Sequence, residues 1–146
     1  MKIIKNLTFA ALAGTLFLHA SMARADDHGA QRITFQKCFL PVVDEPFGGH
    51  FAGTAEGDCG NGTILARYLS VSPGKGIWHF SGEYAVNTPG CSFKTVCTGI
   101  VDVRTGHIIL NGVVTEGEHL GARVQVRAEG NADLSCSQGT MTITPK

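Results

Sequence analysis

The sequence has no excess of charge of either sign, and this balance restricts the partners that we expect. Twelve lysine and arginine residues match twelve aspartate and glutamate residues. Three of the basic residues, Lys2, Lys5 and Arg24, precede residue 26, so the chain after that point has a net charge of −3. Nucleic acids and anionic membrane surfaces attract strongly basic proteins. We therefore predict that this protein binds no nucleic acid.

The sequence also lacks the short motifs of the familiar enzyme and metal-site classes. It contains no G-x-S-x-G, no H-E-x-x-H, no phosphate-binding loop and no glycine-rich dinucleotide motif followed by a helical pattern. The C-x-x-C and H-x-x-x-H spacings of zinc sites are absent as well. We predict neither a metal nor a cofactor. Enzymatic activity stays open, because a protein that holds its substrate in one conformation needs few ionisable groups.

Long apolar runs are absent after residue 20, which argues against a membrane-spanning helix there. The run over residues 7–20 follows two lysines and is too short to cross a bilayer. It leads to Ala23-Arg24-Ala25, with small residues at the two positions that signal peptidase recognises. We expect residues 1–25 to be a secretory signal peptide. Residues 26–146 would then be one exported domain, periplasmic or extracellular, without contact to the membrane.

Five cysteines follow the expected cleavage site, and disulfides persist in exported proteins. Because five is odd, at least one thiol stays free. The short spacing of Cys91 and Cys97 permits a local loop, and a Cys38–Cys136 bond would join the first strand to the last. We predict these two disulfides, although other pairings with Cys59 remain open.

No segment has a sustained helical period, whereas short stretches rich in Val, Ile, Thr, Phe and Tyr alternate with glycine-containing turns. Long strands joined by short turns form a meander, and closing a twisted meander removes its exposed edges. The sequence predicts an all-β fold, an eight-stranded antiparallel up-and-down barrel, with a two-sheet sandwich as the alternative. The expected strands are residues 33–43, 50–58, 63–72, 77–87, 93–104, 107–115, 122–129 and 138–144.

Four stretches carry a resemblance to a known family: WHFSGEY at 78–84, GIVDVRTG at 99–106, LNGVVTEG at 110–117 and GARV at 121–124. With them, residues 76–143 resemble the barrel domain shared by plant allene oxide cyclases, dirigent proteins and many small exported bacterial proteins. The resemblance implies a barrel, and the plant members commonly form trimers. No catalytic residue of the plant families matches a position here, so the resemblance implies no particular activity.

An aromatic stripe on the strand at 77–87 is the most informative candidate site. Alternation places Trp78, Phe80, Gly82 and Tyr84 on one face, with the glycine leaving a gap between two rings. Inside a small barrel, such a stripe either fills the core or lines a ligand cavity. Tyr68 on the preceding strand would add a hydroxyl group. We predict that Tyr68, Trp78, Phe80 and Tyr84 bind a ligand, and a packed core is the alternative.

Ionisable residues elsewhere form no clear site. His79 and Glu83 share the opposite face of the aromatic strand, but residues four apart on a strand are separated by ~13 Å, too far for a direct acid–base pair. A second group occupies the turn after the strand at 107–115. It comprises Glu116, Glu118 and His119, with His107 at the start of that strand. We expect both groups to be solvated.

The stretch from 108 to 114 is apolar on both faces, unlike a strand whose outer face contacts water. We expect a terminal segment or another subunit to cover the outer face, which makes a homo-oligomer a predicted form of the protein.

Three functions fit these observations. The first is an exported barrel that holds a small apolar or aromatic molecule, bound mainly by apolar burial. The second is a cyclase-like or dirigent-like catalyst, which a Glu or His pointing into the cavity would favour; Glu83 is the candidate if the strand faces are reversed. The third is a non-enzymatic interaction module, which a filled interior and a large exposed apolar patch would favour.

Overall fold

A computed structural model describes residues 29–146, so the expected signal peptide lies outside the described residues. The described chain forms eight strands and one short 3₁₀ turn, Pro46–Gly48. The strands are β1 (Gln31–Pro41), β2 (Gly49–Gly57), β3 (Gly62–Ser72), β4 (Ile77–Asn87), β5 (Ser92–Asp102), β6 (His107–Gly117), β7 (Arg123–Gly130) and β8 (Cys136–Thr144).

Each strand pairs antiparallel with the next one, and β8 pairs with β1 to close the barrel. The predicted eight-stranded up-and-down barrel is therefore confirmed, and the sandwich alternative is wrong. Each predicted strand boundary lies within two residues of the observed one. Closure leaves no unpaired strand edge. Within residues 29–146, no helix has the length and hydropathy needed to cross a bilayer.

The alternation of residues along each strand produces the core. On β7, Val124, Val126 and Ala128 are buried, while the residues between them are exposed. The same alternation on the other strands directs one row of each strand inward, because successive side chains point to opposite faces. These inward rows form one hydrophobic cluster along the barrel axis.

The topology divides the connections between two ends of the barrel. We call upper the end that carries the loops at 42–48, 73–76, 103–106 and 131–135. The lower end carries the other three turns and both ends of the described chain. The lower half of the interior is packed, and its fully buried side chains include Ile33, Ile64, Val114, Met141 and Ile143.

One of the two predicted disulfides forms and the other does not. Cys38 and Cys136 face each other across the β1–β8 seam and are bonded, as predicted. The predicted bond between Cys91 and Cys97 is wrong, because Cys91 is bonded to Cys59 at the lower end. The intervening segment is extended, and six residues of strand span ~20 Å, well beyond disulfide reach. Cys97 is the free cysteine, and its side chain is buried inside the barrel.

The outer face of β6 carries Ile109 and Val113 with exposed Asn111 between them, so it is only partly apolar, and no segment of residues 29–146 covers it. Ile109 and Val113 are 42% and 46% exposed. Within the described chain, the expected covering terminal segment is therefore absent. A second subunit as the cover stays a prediction.

Candidate functional site

A small cavity lies in the upper half of the barrel, above the packed lower core. Its volume is about 50 Å³. This is well below the roughly 300 to 1,000 Å³ of sites that hold drug-sized molecules. It is lined by Lys37, Phe51, Ala66, Arg67, Tyr68, Phe80, Gly82, Tyr84, Val101, Ile108 and Leu110.

Strand β4 provides one wall of the cavity, with the faces that the sequence predicted. Gly82, Tyr84 and Val86 are buried in alternation, so the aromatic stripe points inward. Gly82 leaves the predicted gap in this stripe. A Cβ atom at Gly82 would lie 3.1 Å from the carbonyl oxygen of Arg67 and 3.9 Å from Cε2 of Tyr84. The missing side chain therefore keeps part of the cavity open.

Three aromatic rings contact Tyr68 at the top of the cavity. The ring centroid of Tyr68 lies 5.1 Å from that of Phe80, 5.4 Å from that of Phe51 and 5.9 Å from that of Phe47. Trp78 extends the cluster, with its centroid 6.5 Å from that of Phe80. Of the four residues predicted to bind a ligand, Tyr68, Phe80 and Tyr84 line the cavity, whereas Trp78 lies outside its lining.

Lys37 also lines the cavity, although it is not among the residues predicted to bind a ligand. It points inward from β1 and is only 6% exposed. Its Nζ lies 4.1 Å from the ring centroid of Phe51 and 5.7 Å from that of Tyr84, a cation–π arrangement. The signal was present in the sequence, because Lys37 continues the apolar row of Ile33 and Phe35 at a spacing of two.

The charge of Lys37 has no carboxylate partner among residues 29–146, whose ion pairs all involve other basic groups. Burial removes water from the ammonium group and lowers the pKa of Lys37 to about 8. At neutral pH the side chain therefore still carries its proton in most molecules.

Besides Lys37 and the half-exposed Arg67, the polar side chains that line the cavity are tyrosines. Burial raises the pKa of Tyr68 to about 12 and raises that of Tyr84 further, so both phenols stay protonated at neutral pH. Ser137 on β8 lies directly across from Lys37, and its buried Oγ has no hydrogen-bond partner within the described structure. No carboxylate side chain lines the cavity.

The loop between β1 and β2 lies over the aromatic cluster at the upper end. Phe47 is 51% exposed and has a φ of 62°, a strained conformation for a residue with a side chain. The carboxylate of Glu45 anchors the loop to two strands. It lies 2.8 Å from Nδ1 of His50 and 3.7 Å from a guanidinium nitrogen of Arg67. These contacts hold Phe47 against Tyr68.

The ionisable residues singled out in the sequence lie away from this cavity. His79 is exposed, and Glu83 points outward because the strand faces are not reversed. His107 lies at the upper start of β6, where it is 3.4 Å from Glu129, whereas His119 follows β6 at the lower end. Glu116 pairs with Lys94 at 2.8 Å, and Glu118 is exposed. His107 and the turn residues therefore lie at opposite ends of the barrel and form no common site.

The lower end contains a second group of ligand-type atoms. The Sγ atoms of Cys59 and Cys91 and a ring nitrogen of His119 lie within 4.8 Å of one another. Nε2 of His119 is buried and has no hydrogen-bond partner within residues 29–146. Because the two sulfurs are bonded to each other, neither is a thiolate that could bind a metal in this state.

A wider groove of about 590 Å³ crosses the barrel near β6, β7, β8 and β1. Its lining includes exposed polar residues such as Thr34, Arg127 and Glu129. It is more open to solvent than the cavity around Lys37, so it excludes water poorly and offers a small apolar molecule little burial.

Comparison of the chain with protein-family models, with curated proteins and with solved structures gave no match.

Proposed function

We propose that this barrel holds a small apolar or aromatic molecule in the upper half of its interior, after export to the periplasm or the extracellular space. The cavity beside Gly82 is the observation that supports the holding function, because an ordinary packed core would fill this space. The two disulfides support the location, since such bonds persist in oxidising compartments.

The size of the cavity limits the ligand. A volume of about 50 Å³ has room for only a few non-hydrogen atoms. By comparison, an apolar cavity that admits benzene or xenon has a volume of roughly 150 Å³. A ligand that enters without rearrangement is therefore short. A larger aromatic molecule requires the rings of Phe47 and Tyr68 to move outward at the upper end.

Filling the gap at Gly82 tests this function. We expect Gly82→Val to weaken binding of a small molecule at least tenfold, because the new methyl groups occupy the cavity. Ala85→Val is the matched control, since Ala85 lies on the outward face of the same strand. Binding of xenon and of propionamide, followed by NMR shifts of the cavity methyl groups, gives the readout. Circular dichroism verifies that both variants fold.

Native mass spectrometry of the protein purified from its own host complements this test. We expect denaturation to release a small organic molecule from the wild type and none from Gly82→Val. A protein that is bare and takes up neither probe would show that the aromatic stripe is ordinary core.

The structure adds no support for a cyclase-like or dirigent-like reaction beyond substrate holding. Among residues 29–146, no Glu or His lines the cavity. The eight-stranded barrel is the fold that the resemblance to those families implies, but one fold serves many functions. Kinship with those families stays a prediction.

A second candidate function is protein contact through the outer face of β5 and β6. Four aliphatic residues, Val96, Ile100, Ile109 and Val113, form two cross-strand pairs there. The packed lower core also agrees with a module whose surface carries the function. We propose that this face contacts a second copy of the chain.

We expect light scattering at micromolar concentration to give a mass above that of one subunit. The double variant Ile109→Lys/Val113→Lys should be monomeric, because two buried charges at an interface are costly. Leu120→Lys is the control, since Leu120 is exposed at the lower end, outside this face. A monomeric wild type would remove the self-association hypothesis.

A further inference from the structure

We propose that Lys37 is the anchor for the bound molecule, and that this molecule is a small monocarboxylate with a short apolar tail. This inference rests on the proposed function, because it names the chemistry of the ligand held in that cavity.

The ammonium group of Lys37 lacks a counter-charge inside the barrel. Transferring an ammonium group from water into a barrel interior is unfavourable unless an opposite charge or hydrogen bonds compensate for it. The ammonium group of Lys37 has neither an ion pair nor a hydrogen bond within residues 29–146, and two aromatic rings are its stabilising contacts. No carboxylate side chain lines the cavity. A carboxylate on the ligand would supply the missing charge.

The polar groups that line the cavity are mainly hydrogen-bond donors. The ammonium group of Lys37 only donates hydrogen bonds, and the hydroxyls of Tyr68 and Tyr84 can donate as well. Neither phenol is hydrogen-bonded within the described chain. A carboxylate accepts hydrogen bonds at both oxygens and fits such a set, whereas a cationic ligand would be repelled by Lys37.

The apolar wall of the cavity determines the part of the ligand beyond its carboxylate. Phe80, Leu110 and Val101 present apolar surface, which favours a hydrocarbon tail over a second polar group. The volume of about 50 Å³ admits a tail of only a few carbon atoms. A short monocarboxylate such as acetate or propionate therefore matches the charge, the donors and the volume together.

Binding should depend on pH through Lys37. The other titratable side chains that line the cavity are Arg67, Tyr68 and Tyr84, and Cys97 is buried on the neighbouring strand β5. Arg67 stays charged throughout this range of pH. Burial raises the pKa of both tyrosines and of Cys97. These groups stay neutral at pH values where Lys37 loses its proton, near 8. Loss of that proton removes the charge that holds the carboxylate, so affinity should fall as pH rises past 8.

Propionate and propionamide provide the test, because they have nearly the same shape and differ in charge. We expect calorimetric titration of the whole mature protein to show at least tenfold tighter binding of propionate. Lys37→Met should remove this preference, whereas Lys75→Met, at an exposed loop lysine, should keep it. The affinity of the wild type for propionate should fall about tenfold between pH 7 and pH 9, following the fraction of protonated Lys37.

Three other outcomes of these titrations would contradict the proposal. Equal binding of both probes, unchanged by Lys37→Met, would overturn the carboxylate anchor but leave the holding function intact. Binding of neither probe would overturn both. The pH profile uses the unaltered chain, so a flat profile would contradict the anchor even if Lys37→Met failed to fold.

Discussion

Replacing Cys38 and Cys136 together by serine should lower the free energy of unfolding by about 5 kcal/mol. The bond joins residues 98 positions apart. It therefore removes much of the freedom of the unfolded chain, and closure of a loop of this length corresponds to about 5 kcal/mol in the chain-entropy model. The bond also crosses the β1–β8 seam, where the barrel closes between the first and last strands. The loss should appear in urea denaturation under non-reducing conditions.

Gln36 and Gln138 provide the matched control for this variant. They are paired across the same two strands and on the same outer face, two residues from the disulfide, but they share no covalent bond. Replacing both by serine should change the free energy of unfolding by less than about 1 kcal/mol, as for most exposed substitutions. A loss below about 2 kcal/mol for the cysteine variant would show that the seam is held by strand pairing rather than by the bond.

Lys37→Met should stabilise the protein at neutral pH by about 3 kcal/mol, although it removes the proposed ligand anchor. The pKa of Lys37 falls from 10.5 to about 8 on folding. Each pKa unit corresponds to about 1.4 kcal/mol, so burying the charged form costs about 3 kcal/mol. Methionine fills a similar volume without a charge. The gain therefore reflects a charge that the barrel interior accommodates poorly.

The same shift predicts how stability depends on pH. Below pH 8 both the folded and the unfolded chain carry the proton on Lys37, so the full cost of burial is present. Between pH 8 and pH 10.5 the unfolded chain binds more protons at Lys37 than the folded chain does. The cost of burying the charge therefore decreases, and the free energy of unfolding rises with pH. Above pH 10.5 neither state carries the charge, and the difference between wild type and Lys37→Met should approach zero.

Other buried groups make the free energy of unfolding fall as pH rises. The test must therefore compare the free energies of unfolding of two variants at each pH. Burial raises the pKa of Cys97, Tyr68 and Tyr84, and the unfolded chain loses these protons first as pH rises. Their contribution to stability therefore falls above about pH 9. Denaturation of wild type and Lys37→Met at several pH values cancels these shared effects. If the free energies of unfolding of wild type and Lys37→Met differ by the same amount from pH 7 to pH 10, Lys37 does not carry a buried charge. Such a constant difference is expected for the control, Lys75→Met.

Several features were predictable because they depend on local pattern. The alternation of Val124, Val126 and Ala128 with charged residues indicated a strand with one buried face, and the structure has this face inward. Gly82 in the aromatic stripe indicated a gap, and the cavity lies there. The bond between Cys38 and Cys136 followed from the order of the strands, because a closed meander places its first and last strands side by side.

Other features were not predictable from neighbouring residues, because they depend on which distant segments meet. Cys59 and Cys91 are separated by 32 positions, and they meet because two turns lie at the same end of the barrel. Proximity along the chain favoured Cys91 and Cys97 instead, but an extended strand separates residues that are close in sequence. The burial of Lys37 likewise required knowing that its strand faces Phe51 and Tyr84 across the interior.

The sequence by itself determined the strands, the turns and the inward face of each strand, because side-chain alternation and turn chemistry act over only a few residues. The tertiary structure alone decided that the interior is packed below and open above, and that the open part contains an ammonium group without a counter-charge. These properties arise from the register of all eight strands, which sets which inward residues share a level of the barrel.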